Sequence, residues 1–446
     1  MTDPTADGTP PPTLRAAFAQ PASLTLLAFG FASGLPFLLV GGTLSAWLKE
    51  SGVSLEEIGL LSLVGLAYSL KFLWAPVVDR VGIPILARLG QRRGWLFAAQ
   101  AVLVLALLAM AFVTPGGHLT LFVIVTVVAA FAGATQDVVV DAYRIEIAPP
   151  SVQGALAATY MLGYRLALLV SGALALLLAD QMSWTRVYVV MAAAMSVTLL
   201  ATLLAPEPAA ARTRERMSWR GGLVDGVVGP FRDFFRRYAG WLGVALLLFV
   251  GLIKVPDQLL GVMAIPFYLD SGFSKTEIAA VSKVFGIWMG IAGAFLGGAV
   301  VVRLGVTRAL LVAVIIGAVS NLLFILLALW PGDLVLFTLV IGGENAAGGF
   351  LGAAAVAWLS ALVDRQYTAT QYALFSSLIS LPGKLLGGFS GFMVTAAGYV
   401  PFFVISTIAL LPALLLWGWL RSRVNLDPGS TAPETPVPAT IVSSPS

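Results

Sequence analysis

The chain of 446 residues contains no cysteine and a single histidine, His118. Disulfides, iron–sulfur clusters and thiol nucleophiles are thereby excluded, and with His118 in a short loop neither a histidine metal site nor a Ser–His triad can be assembled. Charge is scarce as well: 11% of residues are charged against 59% hydrophobic, and the mean hydropathy is +0.94. A soluble domain has a different balance, and this one belongs to a chain that crosses a bilayer. The net charge of +4 does not point to nucleic acid, because the basic residues are dispersed along the chain. The first 20 residues also lack the basic start, apolar core and small-residue site of a cleaved signal, so the first apolar run is expected to be retained.

Against that scarcity, eight ionisable side chains stand inside apolar runs: Lys71, Asp137, Arg165, Lys254, Asp257, Lys283, Glu344 and Lys384. Each costs at least a few kcal/mol at bilayer depth, so together they imply a polar pathway and make transport the default reading.

Runs long enough to cross about 30 Å of hydrocarbon number twelve: 23–48, 58–78, 95–113, 119–140, 155–178, 187–205, 240–268, 277–302, 309–329, 334–362, 373–396 and 401–420. One set of connecting loops carries Arg80, Arg88, Arg92, Arg93, Arg144, Arg212, Arg214, Arg303, Arg308, Arg365 and Arg421 among others. The opposite set has only Lys49, Arg186 and Lys275. The positive-inside rule then places both termini and the arginine-rich loops in the cytoplasm.

The expected organisation is a disordered N-terminus (1–22), a six-helix bundle (23–205), a linker (206–239) with Pro206 and Pro208, a second six-helix bundle (240–420) and a disordered tail (421–446). A repeat supports the division. Gln153-Gly154-Ala155-Leu156 matches Gln371-Tyr372-Ala373-Leu374, and Gly163-Tyr164-Arg165 before Ser171-Gly172 is echoed, with one residue of slippage, by Pro382-Gly383-Lys384 before Ser390-Gly391. The fold class expected is an all-α membrane protein, twelve transmembrane helices in two parallel, pseudo-symmetric halves, the architecture of the major facilitator superfamily.

Several segments narrow this further. Ser33-Gly34-Leu35-Pro36 with Gly41-Gly42-Thr43-Leu44-Ser45-Ala46-Trp47-Leu48, then Tyr68-Ser69-Leu70-Lys71-Phe72-Leu73-Trp74-Ala75-Pro76 with Asp79-Arg80, Arg92-Arg93-Gly94-Trp95, Ala134-Thr135-Gln136-Asp137 and Asp141-Ala142-Tyr143-Arg144 resemble the AmpG muropeptide permeases of that superfamily. The match is dense over residues 29–165 and thinner beyond. The acetyl-coenzyme A transporters are more distant relatives by the same segments. The resemblance implies proton-driven import of anhydromuropeptides across the bacterial inner membrane by a monomer, with no cofactor besides the proton. Two departures are that some AmpG proteins carry hydrophobic segments beyond twelve, and that the stretch from Asp79-Arg80 to Arg92-Arg93 is looser than the usual superfamily motif.

The stranded charges can be assigned roles. Glu344, among small neighbours in Gly342-Gly343-Glu344-Asn345, is expected to load and release the proton, with Asp137 and Asp257 taking part; a permanently paired structural ion is the alternative. Lys254 and Asp257 share a helix face, and Pro256 between them favours a kink. The resemblance puts spans 1, 4, 7 and 10 around the cavity, and so this pair near the substrate. Arg165 and Lys384, equivalent in the repeat, are expected to face the cavity from opposite halves and hold carboxylates of the stem peptide, unless they form bridges, Arg165 to Asp137 or Asp257 and Lys384 to Glu344. Lys71 and Lys283 sit nearer a membrane face, where an ammonium can snorkel outward. Asp79 with Arg80, Arg92 and Arg93, and Asp141 with Arg144 on one stripe of span 4, are expected to gate the cytoplasmic side.

Sugar recognition falls to neutral groups that stack or donate: Tyr68, Trp74, Gln136, Tyr160, Tyr164, Gln258, Trp288 and Asn345. Trp47, Trp95, Trp184 and Trp330 lie at span ends and read as interfacial anchors. Gly286, Gly290 and Gly297 in span 8, and Gly343, Gly348, Gly349 and Gly352 in span 10, are expected to permit close helix packing and rocking instead of ligand binding. An intramembrane enzyme lacks its constellation and a channel its continuous polar ring. Within transporters the rival is an acyl-coenzyme A or other organic-anion carrier.

Overall fold

The computed structural model describes residues 21–147, 153–208, 241–362 and 368–420, together with Phe235. The expected disordered ends, except Pro21 and Ala22, which begin the first helix instead, and nearly all of the linker lie outside the described residues. Every regular element within them is helical, and eleven helices are long and apolar enough to cross a membrane. These correspond to the expected spans 1 and 3–12, from Ala22–Glu50 to Tyr399–Leu420.

Span 2 departs from the expectation of one continuous helix. Residues 55–80 fold as Leu55–Leu61, a 3-10 turn Ser62–Gly65, Leu66–Leu70, a second 3-10 turn Lys71–Leu73, and Ala75–Arg80. Pro76 sits in the first turn of the last piece, where its missing N–H does no harm, whereas in a helix interior it would break the ladder. Span 7 is likewise interrupted: it stops at Leu252 and restarts at Val255 with Pro256 in the new first turn, which bears out the kink read from Pro256. Spans 5 and 8 each widen into a π-helical turn, at Leu169–Leu174 and Ala279–Phe285.

Glycine sets the closest approaches. A Cβ at Gly163 of span 5 would overlap the Leu27 carbonyl of span 1, and one at Gly349 of span 10 would overlap the Gly290 carbonyl of span 8. Gly348 and Gly352, by contrast, face open space and take no part in that packing.

The halves meet at one end of the bundle through a pair of matching turns. Glu50-Ser51-Gly52-Val53-Ser54 leads to Glu57-Ile58 as Asp270-Ser271-Gly272-Phe273-Ser274 leads to Glu277-Ile278. Gly52 and Gly272 both take the left-handed conformation (φ +77° and +87°), and each following helix begins with a reciprocal Ser–Glu capping box. The acid before each turn reaches a lysine of the other half: Asp270 lies 2.8 Å from Lys49 and Glu50 2.9 Å from Lys275. The Trp184 indole donates to Glu50 (2.6 Å), and Thr276 donates to Asp180. Trp47 and Trp184 therefore are not lipid-facing anchors: both are buried, stacked on each other beside Tyr188. Trp330 is exposed as expected.

Candidate functional site

A cavity of about 390 Å³ lies between the halves, walled by Phe37, Ser62, Gly65 and Tyr68 from the first and by Lys254, Asp257, Gln258, Tyr268, Lys283 and Lys384 from the second. The interruption of span 7 puts Lys254 at the start of its second piece, with Asp257 and Gln258 in the following turn. Asp257 lies beside Gly317 of span 9, at a distance where a Cβ on that residue would make ordinary contact with the carboxylate. Lys283 does not snorkel outward. The π turn directs it into the cavity wall, against Gly42 and Gly172 of the first half.

Lys384 crosses to the broken span 2, where its ammonium donates to the Gly65 carbonyl (3.0 Å) and the Ser69 hydroxyl (2.8 Å). It does not pair with Glu344. Glu344 instead accepts from Asn345 Nδ2 (2.7 Å), which also donates to the Ile341 carbonyl. Lys283, Asp257 and Tyr268 are within electrostatic reach of Glu344, so Glu344, Asp257 and Lys283 form one charged group in the second half.

The first half holds a second group. Lys71 lies 3.4 Å from Asp141 and 3.8 Å from Asp137, Asp141 is 4.0 Å from Arg144, and the Arg144 guanidinium stands 5.6 Å from the centre of the Tyr160 ring. Tyr164 adjoins Tyr160 at 6.4 Å. Lys71 was expected near a membrane face; the 3-10 turn that carries it redirects the side chain inward, where it balances two carboxylates. Tyr68 OH and Arg144 Nε are buried here without a hydrogen-bond partner among the described residues. Buried donors and acceptors are ordinarily paired, so these two mark a place where water or ligand completes the set.

Tyr68 joins the two regions, since its ring lines the cavity and its hydroxyl rests on the bare Cα of Gly133. Gly133→Ala is expected to destabilise the protein by about 1–3 kcal/mol through overpacking, read as a lower melting temperature in detergent. Adding Tyr68→Phe should recover part of the loss; an unchanged melting temperature in the single variant would refute the contact.

Other expected site residues lie elsewhere. Gln136 is fully buried and donates to the Ala32 carbonyl (2.7 Å), tying span 4 to span 1 instead of meeting a sugar. Trp74 donates to Thr135 Oγ1 (3.1 Å), packs on Phe131 and lines a separate apolar groove. Trp288 is 68% exposed on the outer face of span 8. Arg165 is exposed on span 5, does not line the cavity, and is paired with no described carboxylate, neither Asp137 nor Asp257. Arg92 and Arg93 brace the first half internally. Arg92 donates to both Glu146 oxygens (2.7 and 3.0 Å), Arg93 to the Thr202 and Leu203 carbonyls, and both backbone amides to Glu207. Asp141 and Arg144 also act within that half. The side chains of Asp79 and Arg80 lie outside the described residues. Lys71, Lys283, Tyr268 and Glu207 were not foreseen as site or brace residues; for Lys71 and Lys283 the signal was their presence inside apolar runs.

The Major Facilitator Superfamily profile matches residues 23–343. The chain is 40% identical over 401 residues to the anhydromuropeptide permease of Escherichia coli (strain K12), spanning 90% of this chain and 79% of that protein. It is 34% identical over 399 residues to the putative transporter AmpG 4 of Rickettsia felis, spanning 89% and 96%. Among solved structures, the inward-open xylose transporter XylE from E. coli superposes with a TM-score of 0.65 at 14% identity, over 89% of this chain and 94% of that one. The nucleoside transporter NupG gives 0.63 at 15%, over 90% and 99%. At those identities the two structures share the fold alone.

Proposed function

The chain belongs to the AmpG-type permeases of the major facilitator superfamily, and on that premise we propose that it imports anhydromuropeptides by proton symport. The observation that carries this reading is the charge of the cavity: Lys254, Lys283 and Lys384 against Asp257 alone among the lining residues. Lys384 in particular is held by neutral oxygens only. Such a wall suits a ligand that brings carboxylates, as a stem peptide does, and a volume of about 390 Å³ falls within the usual range for small-molecule sites, about 300–1,000 Å³. No arginine is among the lining residues, which weighs against the polyphosphate of an acyl-coenzyme A.

Tyr68 and Gln258 contact the sugar and peptide groups. The Lys71–Asp137–Asp141 and Lys283–Asp257–Glu344 groups carry the proton. The protein works as a monomer in the bacterial inner membrane with both termini in the cytoplasm, so that the bridged end faces the periplasm.

Uptake of labelled N-acetylglucosamine-anhydro-N-acetylmuramyl peptide into proteoliposomes tests this. Accumulation driven by an inward proton gradient and inhibited by unlabelled muropeptide is expected. Inhibition by coenzyme A esters instead, with no response to muropeptide, would overturn the substrate assignment.

A further inference from the structure

We propose that Asn345 is a positioning residue for the proton carrier: its side-chain amide, seated on the bare Cα of Gly286, holds the Glu344 carboxyl and sets the pH at which that group gives up its proton. This rests on the reading of Glu344 as a carrier of the coupling proton. Asn345 was expected to meet a sugar, yet it is not among the residues that wall the cavity. Its nitrogen instead makes two bonds, to the Glu344 carboxylate (2.7 Å) and to the Ile341 carbonyl one turn back (3.0 Å). A carbonyl can only accept, so the nitrogen, not the oxygen, of the amide must face that side. Among the described residues no other hydrogen bond reaches the Glu344 carboxylate.

Gly286 makes the seat. A Cβ there would stand 3.0, 3.1 and 3.3 Å from Nδ2, Cγ and Oδ1 of Asn345, and these near-equal distances mean that the amide lies face-on against backbone. Gly286 directly follows the π turn Ala279–Phe285 that carries Lys283, so one irregular turn of span 8 supplies both a charge and a seat to the neighbourhood of Glu344. Such turns are frequent at functional sites. The other groups within electrostatic reach of Glu344 are Lys283 from span 8 and Asp257 and Tyr268 from span 7. Arg303 and Arg308 of the packed spans 8 and 9 stand in terminal turns of their helices, and Lys384 of span 11 is engaged with Gly65 and Ser69. An N–H bond to an ionised carboxylate is stronger than one to a neutral carboxyl. The amide therefore contributes more to the ionised form of Glu344 than to the protonated one, and its loss leaves the proton more firmly held.

Infrared spectroscopy of the full chain in nanodiscs, titrated with protons alone, reads the carboxyl C=O bands of protonated acids. The band that Glu344→Gln removes belongs to Glu344. In Asn345→Ser the hydroxyl can still donate to the Ile341 carbonyl, which keeps the helix intact, but no longer reaches Glu344. The Glu344 band is then expected at a higher wavenumber, because a donor to the carboxyl is gone. It should also persist to about one pH unit higher than in the unaltered protein, the low end of what a hydrogen bond to a charged group is worth. Gly286→Ala leaves Asn345 in the sequence and pushes its amide off the seat, so it should move the band the same way by less. The muropeptide concentration that half-saturates uptake should stay unchanged in both variants. A Glu344 band unmoved in Asn345→Ser or in Gly286→Ala, or no band lost in Glu344→Gln, would overturn the positioning role. A raised half-saturating concentration in Asn345→Ser with the band unmoved would make Asn345 a sugar contact instead. If the band moves as expected but the unaltered protein does not accumulate muropeptide on a proton gradient, the positioning role stands and the symport reading falls.

Discussion

Replacing Asp137 with asparagine, or Glu344 with glutamine, is expected to reduce gradient-driven accumulation in proteoliposomes to simple equilibration, while exchange of cargo across the membrane continues. The reason is thermodynamic. A gradient of one pH unit is worth about 1.4 kcal/mol per proton, enough for about tenfold accumulation when one proton moves with each cargo molecule. An amide has the shape of the acid but cannot carry that proton. Each carboxylate has a lysine beside it: Lys71 stands 3.8 Å from Asp137 and 3.4 Å from Asp141, and Lys283 lies within electrostatic reach of Glu344. With Asp137 neutral, Lys71 belongs to Asp141 alone. Accumulation at the unaltered level in either variant would remove that carboxylate from the coupling path.

The largest effect on stability is expected from Arg92→Ala. Arg92 is 1% exposed, and its guanidinium makes two bonds to Glu146, itself 12% exposed in its side chain. Removing it leaves a buried carboxylate short of its countercharge, which typically costs about 3–5 kcal/mol. Poor yield and a sharply lower melting temperature in detergent should follow. Arg92→Lys should recover little, because a lysine cannot make the paired, planar contact. A melting temperature for Arg92→Ala equal to that of the unaltered protein would refute the brace. The result also separates two roles for this arginine, since the bonds of Arg92 to Glu146 and Glu207 stay within the first half and cannot by themselves gate one half against the other.

Hydropathy made the crossings legible, and Pro256 made the interruption of span 7 legible, because both depend on the chain locally. Span 2 hid its breaks. Pro76 and Gly65 were visible, but an apolar run has the same hydropathy whether or not it is one helix. Lys71 was misplaced for that reason: on a straight helix it would point one way, and the 3-10 turn beneath it points it another. Arg165 and Lys384 illustrate a second limit. They align in the repeat only with a slip of one residue, and one residue on a helix is a rotation of about 100°, enough to turn one side chain to the cavity wall and the other away from it. Gln136 and Trp74 were chosen for chemistry that suits a sugar, and the same chemistry suits a neighbouring helix. The twin Ser-Gly turns were readable from sequence, whereas the crossed pairing of Glu50 and Asp270 with lysines needed three dimensions.

Those crossed pairs make the closed end sensitive to ionic strength. Lys49, Asp270, Lys275 and Glu50 keep 13–35% of their side-chain surface exposed, and pairs of that kind contribute about 0.2–1 kcal/mol each, less as salt rises. Two of them together bias the closed end by a factor of about two to thirty. Added electrolyte erodes that bias without touching the cavity, so the medium on that side of the membrane sets how readily the permease exposes its site, independently of how much cargo is present.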